Sequence, residues 1–171
     1  SYKRNLELLQ EIPPRMPRTF NFEREKARKI VEDALISGGA LLTEVESKAL
    51  LAAYGIPVNP TEVAENADQA LLLARKLGYP VAMKIHSRDI SHKSDAGGVQ
   101  LNLRSEEDVQ NAYREILTNA GSYDPKAKIL GVSIQPMVTQ YDYEVILGSK
   151  RDPLFGPIIL FGIGGIMTEI L

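Results

Sequence analysis

Apolar residues that recur every three to four positions predict four helices in the first part of the chain. The first covers residues 22–37, carries an apolar stripe of Ile30, Val31, Ala34 and Leu35, and ends at the glycine pair 38–39. The others cover residues 43–54, residues 66–77 and residues 105 to about 121. Helices therefore precede most of the strands along the chain.

The last three of these helices open with residues that cap a helix N-terminus. Thr43 and Glu46 have the spacing of a capping box, in which the hydroxyl accepts the N3 amide and the carboxylate accepts the N-cap amide. Asn66 opens the third helix, and Ser105 opens the fourth with Asp108 at N3. These signals place the three helix starts to within a residue.

Runs in which apolar and polar residues alternate, or which are rich in β-branched residues, predict the strands. They cover residues 58–64, 81–85, 99–103, 129–137, 143–148 and 157–161. Turn-forming residues at 124–125, 149–153 and 162–165 separate the later ones. The resulting order, helices followed by βαββαβ and further strands, predicts an α+β sandwich. Neither a dinucleotide fingerprint nor a P-loop is present in the sequence.

Composition narrows the function classes. With 44% hydrophobic and 25% charged residues and a net charge of −2, the sequence is that of a globular protein without a basic nucleic-acid-binding face. The absence of cysteine excludes thiolate chemistry, and two histidines are too few for a multi-histidine metal site. No apolar run approaches the roughly 18 residues that span a bilayer, so we expect no membrane partner and a cytoplasmic location.

The two ends indicate a part of a longer protein. Residues 1–20 hold Pro13, Pro14 and Pro17 among basic residues, which is typical of a linker. Residues 162–171 form an apolar run with no polar tail after it. We expect residues 1–40 to be a connector with one helix and residues 41–171 to be a domain that continues beyond this sequence.

Candidate chemistry concentrates in residues 84–99, between two predicted strands. The segment contains Lys84, His92, Lys93, Ser94 and the glycines 97 and 98. Consecutive amides and glycines in such a loop can form an anion-binding concavity, and lysine adds a point charge for a phosphate. The alternative is a solvated hairpin loop, with Lys84 on the outer face of its strand and His92 an ordinary surface residue rather than a nucleophile.

A second group of candidates lies further along the chain. Residues 135–138, with Gln135, Met137 and Val138, suit a connector whose backbone groups bind an adenine edge. The alternative is a plain turn between strands. Glu144 and Glu169 are candidate ribose or metal ligands, although a single carboxylate on a strand is weak evidence for either role.

These segments together resemble one family. Residues 42–58 (LTEVESKALLAAYGIPV), 79–84 (YPVAMK), 92–99 (HKSDAGGV), 135–137 (QPM) and 148–157 (GSKRDPLFGP) follow the order found in the ATP-grasp domain of NDP-forming acyl-CoA synthetases. The GIGG of residues 162–165 completes the series. The resemblance covers residues 41–171, and five ordered motifs are much more specific than one.

The resemblance implies an ATP-grasp fold, with an N-terminal lobe and a second lobe of which this sequence contains only part. Lys84 would bind the nucleotide phosphates, with Lys93, Ser94, Gly97 and Gly98 in a mobile lid over the triphosphate. His92 would be a phosphoryl carrier. By the same resemblance, Gln135, Met137 and Val138 would lie at the adenine, Glu144 near the nucleotide, and Glu169 at Mg²⁺.

The reaction implied is the interconversion of acyl-CoA, ADP and phosphate with acid, CoA and ATP through phosphohistidine. The partner would be the CoA-binding portion of the same protein or complex, and the isolated chain is expected to be inactive or nearly so. One alternative keeps the fold but makes it the ligand-sensing region of a protein lysine acetyltransferase. Another is a docking role without nucleotide binding.

Overall fold

The computed structural model describes residues 22–38 and 41–164 of the chain. Two compact units meet in sequence between Pro136 and Met137. The elements, in chain order, are α1 (Arg24–Ile36), α2 (Glu44–Ala53), β1 (Glu62–Ala64), α3 (Ala67–Leu77), β2 (Val81–Ser87), β3 (Val99–Leu103), α4 (Glu106–Tyr123), β4 (Ile129–Pro136), β5 (Val145–Asp152) and β6 (Gly156–Ile163).

The first unit is built on a four-stranded sheet in the order β1-β4-β2-β3, and all neighbouring strands are antiparallel. Helix α3 therefore joins two parallel strands that flank β4, and α4 joins two parallel strands that flank β2. This is the βαββαβ order predicted from the sequence. The α+β class is confirmed, and the sheet is not the parallel sheet of a Rossmann fold.

One face of this sheet carries the hydrophobic core beneath α3 and α4. Met83 and Ile85 alternate along β2, and each has no exposed surface. Further large, fully buried side chains of the core come from β2, the loop after it, α4 and β4: Val81, Ile90, Val109, Ile116, Val132 and Ile134. The opposite face of β2 carries Lys84 and His86, which are only partly buried.

Helices α1 and α2 pack against each other through small residues. Ala27 and Ala34 are the buried residues of α1, whereas the Leu35 side chain, predicted to be in the apolar stripe, is 65% exposed. The prediction is wrong for Leu35 and correct for Ala34, which is buried together with Ala27 because small side chains let helices approach closely. The Phe22 and Tyr54 rings, with centroids 5.2 Å apart, join the ends of the pair.

The starts of α2, α3 and α4 agree with the sequence, and the bounds of β1, β5 and β6 do not. Thr43 with Glu46 and Ser105 with Asp108 both form capping boxes, and Asn66 caps α3. Strand β1 is limited to Glu62–Ala64, shorter than the predicted 58–64. Pro60 falls in the missing part, residues 58–61, and proline cannot donate to a strand ladder.

The second unit is described by residues 137–164 and contains the β5–β6 hairpin. Residues 149–152, predicted to be a turn, continue β5, where Lys150 pairs with Ile158. The turn comes later because Asp152 Oδ1 accepts hydrogen bonds from the amides of Leu154 (2.8 Å) and Phe155 (3.0 Å). Likewise Gly162 and Ile163, predicted to be in a turn, extend β6.

Candidate functional site

Lys84 lies at the centre of the polar face of the first unit. It sits on β2 between β3 and β4, opposite Val99 on one side and Ser133 on the other. Its side chain is 24% exposed, so neither full burial nor the freely solvated alternative describes it. Its ammonium donates to Glu44 Oε1 over 2.8 Å.

Glu44, in the first turn of α2, connects Lys84 to a second lysine. Its Oε1 also lies 3.1 Å from Lys48 Nζ, one helical turn further along α2. Burial opposes ionisation of Glu44, but the hydrogen bonds and positive charges of Lys84 and Lys48 outweigh it and hold the pKa of this carboxyl below its usual value. The carboxylate is therefore ionised between two cations at neutral pH.

Lys48 in turn holds the end of β4. Its ammonium donates to Thr61 Oγ1 over 2.6 Å and, through a very short contact, to Gln135 Oε1. Thr61 also donates to Gln135 Oε1 over 3.1 Å. The Gln135 side-chain oxygen is thus engaged within the first unit, whereas the adenine contact predicted for residues 135–138 concerns backbone groups.

Next to Gln135, the connector after β4 is held by its backbone. The Asn59 side-chain amide donates to the carbonyl of Pro136 over 2.9 Å. Met137 is partly buried and Val138 is exposed, and both belong to the second unit, as does Glu144. Glu144 is exposed, and its carbonyl accepts the Gly164 amide over 2.8 Å. The nucleotide contacts assigned to these three residues stay predictions.

The loop between β2 and β3 is anchored in the core rather than standing free. Ile90 and Ala96 belong to the core and are 2% and 3% exposed. The amides of Ala96, Gly97 and Gly98 bond back to carbonyls within the loop. Of the predicted lid, residues 94–98, Ser94 and Asp95 are exposed and Ala96 and Gly98 are buried, and its mobility stays a prediction.

The glycine pair brings this loop against Lys84's strand. The Gly98 carbonyl accepts the Ile85 amide over 2.7 Å, one residue after Lys84. A Cβ on Gly98 would lie 2.6 Å from Ile85 Cγ2, and one on Gly97, which has φ +59°, would lie 2.8 Å from Asn119 Nδ2. Both positions require glycine because the loop crosses β2 and α4 at close range.

Further cations surround this corner. Arg88 donates twice to Glu46 of α2, including one bond of 2.5 Å. Burial lowers the pKa of His86, and the charges of Lys93 and Arg88 lower it further against the opposing effect of Glu46. Lys93 is partly buried. Lys84, Arg88 and Lys93 therefore form a basic corner around the His86 imidazole, and two carboxylates of α2 partly neutralise it.

Sequence reasoning singled out Lys84 and Gln135 as candidates but not the side chains that hold them. Glu44, Lys48, Asn59, Thr61 and Arg88 were absent from the prediction. The spacing of Glu44 and Lys48, four residues apart on a predicted helix, signals an ion pair, yet nothing in the sequence links that pair to Lys84.

No group of three or more metal-ligating side chains occurs in residues 22–38 and 41–164. Glu169, the predicted Mg²⁺ ligand, lies outside the described residues.

None of the helices in the described part of the chain combines the length and apolar character that crossing a bilayer requires.

A family model described as an ATP-grasp domain matches residues 33–171. The chain belongs to the ATP-grasp family. The resemblance inferred from the ordered motifs is thereby confirmed, together with the fold that it implies.

Similar proteins are ADP-forming acid–CoA ligases. The chain is 47% identical over 146 residues to the beta subunit of acetate–CoA ligase [ADP-forming] I of Pyrococcus furiosus, with 85% of this chain and 62% of the subunit covered. It is 49% identical over 149 residues to acetate–CoA ligase [ADP-forming] I of Archaeoglobus fulgidus, covering 87% of this chain and 21% of the ligase. This ATP-grasp chain therefore spans less than two thirds of these relatives.

Solved structures agree with this assignment. Dinucleotide-forming acetyl-coenzyme A synthetase 1 of Ca. Korarchaeum cryptofilum, in complex with coenzyme A and Ca-AMPCP, superposes with a TM-score of 0.79 at 42% identity, over 82% of this chain and 61% of that one. A second structure of the same synthetase, with coenzyme A and Mg-AMPPCP, is described with its phosphohistidine segment pointing towards the nucleotide-binding site. Its TM-score is 0.67 at 38% identity, over 84% of this chain and 60% of that chain.

Proposed function

We propose that this chain is the nucleotide-binding part of an ADP-forming acid–CoA ligase, which interconverts acyl-CoA, ADP and phosphate with the free acid, CoA and ATP. The observation that carries the proposal is the position of Lys84, a partly buried cation on a central strand beside the glycine pair. Similarity to the Pyrococcus and Archaeoglobus ligases supports the reaction class.

Lys84 would bind the phosphates of ATP or ADP. An ammonium has three N–H donors, and among the described residues Lys84 uses one of them, on Glu44. Lys93 and Ser94 would add a point charge and a hydroxyl from the loop. Gly97 and Gly98, whose amides bond within the loop, would let it lie close to the strand of Lys84. The basic corner around Lys84 would raise the local concentration of a polyanion.

At the other end of the nucleotide, Gln135 would act mainly by position. Lys48 and Thr61 fix its side-chain oxygen, and Asn59 fixes the next carbonyl, so the chain leaves β4 in one direction. A connector held in this way is pre-organised to present its backbone groups to an adenine edge. The roles proposed for Met137, Val138 and Glu144 rest on the resemblance.

His92 would carry a phosphoryl group between the CoA-binding portion and ADP. In the direction of ATP synthesis, the N–P bond of the donor phosphohistidine breaks as an N–P bond to His92 forms. That bond then breaks as the terminal oxygen of ADP takes the phosphoryl group. His92 is exposed at the start of the loop, which suits a residue that must meet two partners.

Mg²⁺ and a CoA-binding partner portion belong to the same proposal. Bound Mg²⁺ supplies charge neutralisation for the phosphoryl groups. Glu169 is the ligand predicted for it, and residues 22–38 and 41–164 hold no cluster of three or more metal-ligating side chains. Without the rest of the ligase we expect the isolated chain to bind nucleotide with little or no turnover. The cytoplasmic location predicted from the sequence completes the proposal.

ATP affinity of the chain tests the site. Calorimetric titration of the wild-type chain is compared with Lys84→Met, which keeps the length and apolar part of the side chain while removing its charge. We expect a loss of about tenfold or more, in the range of a charge-assisted hydrogen bond. Lys76→Met is the matched control, since Lys76 forms an exposed pair with Glu62 (2.8 Å). Equal affinities for all three proteins would contradict the nucleotide site.

The reaction requires the longer natural protein. ATP formation from acyl-CoA, ADP and phosphate with Mg²⁺ is measured in the wild type and in His92→Ala. Synthesis that collapses in the variant supports the carrier role, and synthesis that persists returns His92 to an ordinary loop residue. Absence of synthesis with any common acyl-CoA, together with retained ligand binding, would favour the sensing region of a protein lysine acetyltransferase.

A further inference from the structure

The carboxylate of Glu44 lies between the two lysines of the polar face. Its Oε1 accepts from Lys84 Nζ at 2.8 Å and lies 3.1 Å from Lys48 Nζ. The three side chains are 17–24% exposed, so water screens them only in part. Helix position also favours this carboxylate, because the first turn of α2 carries the positive end of the helix dipole.

The two lysines differ in the donors that remain. Lys48 has an acceptor for each of its three N–H groups, namely Glu44, Thr61 and Gln135. Lys84 meets one acceptor within the described residues, so two of its donors are available to a ligand. Lys48 is therefore part of the framework, and Lys84 is the cation that can change partner.

The charges of the group favour one further anion. Two ammonium groups and one carboxylate leave a net charge of +1 on three closely spaced side chains. A phosphate oxygen that binds Lys84 competes with Glu44 for the same ammonium. Glu44 does not lose its only cation when this happens, because Lys48 stays beside it.

We propose that Glu44 is the internal counter-ion of the phosphate-binding lysine, and that Lys48 retains Glu44 when a phosphate takes Lys84. Glu44 thereby sets how tightly the site binds polyphosphate, although it contacts no ligand. Lys48 does not contact the ligand either, and its positive charge raises the polyphosphate affinity that Glu44 lowers. The inference rests on the proposed nucleotide site at Lys84.

The direction in which polyphosphate affinity changes in two variants distinguishes this role from a structural one. Glu44→Gln raises the net charge of the group and removes the competitor, so polyphosphate should bind more tightly. Lys48→Met lowers the net charge and leaves Glu44 with Lys84 alone, so polyphosphate should bind more weakly. A purely structural pair would weaken binding in both variants, because either loss would disturb the position of Lys84.

The experiment measures calorimetric affinities of the chain for inorganic tripolyphosphate, ATP and adenosine at low salt. We expect Glu44→Gln to increase the affinity for tripolyphosphate and ATP by about fivefold or more and Lys48→Met to decrease it by a similar factor, as Coulomb's law gives for one charge at this range. Adenosine affinity should stay within about twofold in Glu44→Gln, since adenosine has no charge. Glu62→Gln and Lys76→Met, from the exposed pair, are the matched controls.

Three results would overturn the proposal in distinguishable ways. Weaker or unchanged tripolyphosphate binding in a folded Glu44→Gln, with binding lost in Lys84→Met, rejects the counter-ion and keeps the nucleotide site. Tripolyphosphate binding that Lys84→Met leaves intact rejects both. No binding of ATP or tripolyphosphate by the wild type and Glu44→Gln also rejects both. If Glu44→Gln does not fold, the tripolyphosphate affinities of Lys48→Arg and Lys48→Met are compared instead. Arginine keeps the positive charge, so Lys48→Arg should bind tripolyphosphate as tightly as the wild type, and an affinity as low as that of Lys48→Met would reject the proposal.

Discussion

Gly98 shows how closely the loop and β2 approach each other. An added Cβ would lie 2.6 Å from Ile85 Cγ2, 3.1 Å from Ile85 Cβ and 3.1 Å from the Lys93 carbonyl oxygen. Ile85 is fully buried, so it has no free space to move into. The same contact sets the path of the loop beside Lys84, so the residue that permits the packing also shapes the candidate site.

Gly98→Ala should therefore destabilise the chain by about 1–3 kcal/mol, the usual cost of overpacking. Gly121→Ala is the matched control, because Gly121 lies within α4 and its added Cβ would meet nothing within 4 Å. There alanine should stabilise by about 1 kcal/mol through its helix propensity. Urea unfolding of both variants measures these changes. A Gly98→Ala variant as stable as the wild type would show that the loop shifts to make room for the added methyl group.

Glu44 should make the stability of the first unit depend on pH. Its pKa lies below the ordinary 4.5 because the Lys84 and Lys48 interactions outweigh the effect of burial. A carboxyl with a lowered folded-state pKa contributes stability above the unfolded-state pKa and loses it as pH falls through the folded-state value. The contribution is therefore complete at pH 7 and disappears well below pH 4.5.

Unfolding free energies of wild type and Glu44→Gln, taken at pH 7, 5, 4 and 3, test this. The wild type should be more stable at pH 7 by about 1.5–3 kcal/mol, the range for hydrogen bonds to charged groups, and the difference should shrink toward pH 3. Glu62→Gln, from an exposed pair, should differ from wild type by less than about 1 kcal/mol. A Glu44 difference that is constant with pH would contradict the ionised pair.

At the scale of elements, the N-terminus of α2 joins a helix start to the sheet. Glu46 closes the capping box by accepting the Thr43 amide over 2.8 Å, and it also binds Arg88, which follows β2. Burial opposes its ionisation, but the Thr43 amide and the Arg88 guanidinium lower the pKa of Glu46 overall. Glu44 in the same helical turn binds Lys84, so two carboxylates at the start of α2 attach this helix to the basic corner.

Asp108 offers a direct comparison, because it closes the capping box of α4 from an exposed position. Asp108→Asn should cost about 0.5–1 kcal/mol, as for the loss of a cap interaction. Glu46→Gln should cost about 1–2 kcal/mol more, because it also breaks a partly buried ion pair with Arg88. Thermal and urea unfolding compare the two, and equal losses would show that the Arg88 contact adds no stability.

At the scale of the whole chain, the two units differ in how they bury apolar surface. Every residue of the hydrophobic core belongs to the first unit. In the described part of the second unit, large apolar side chains on both strands of the hairpin are exposed, including Leu147, Ile159, Leu160 and Phe161 at 63–78%. A two-stranded hairpin without a core is marginally stable in water.

Residues 22–136 alone should therefore retain most of the stability of the chain. We expect a cooperative thermal transition within about 5 °C of that of the full chain, because the same core is intact. A peptide of residues 137–164 should show no cooperative transition by circular dichroism. Loss of cooperative unfolding in residues 22–136 would mean that the second unit contributes directly to folding of the first.

The sequence by itself determined the features that depend on neighbours along the chain. Capping residues at Thr43, Asn66 and Ser105 begin helices because their side chains satisfy amides two or three positions away. A run rich in β-forming residues identified β2, period-two alternation identified β3, and the ordered motifs identified the family. Turn bounds in the hairpin were missed because a single side chain, Asp152, selects among neighbouring turns.

Only the tertiary structure decided how the candidate site is held. Lys84 meets Glu44 across 40 positions of sequence, and Lys48 meets Gln135 across 87. Each pair depends on which side of α2 faces the sheet and on the register of β2 against β4, and neither follows from local spacing. An ion pair between distant residues forms only when folding brings its charges together, so the sequence singled out Lys84 as a candidate phosphate ligand but not the carboxylate that accompanies it.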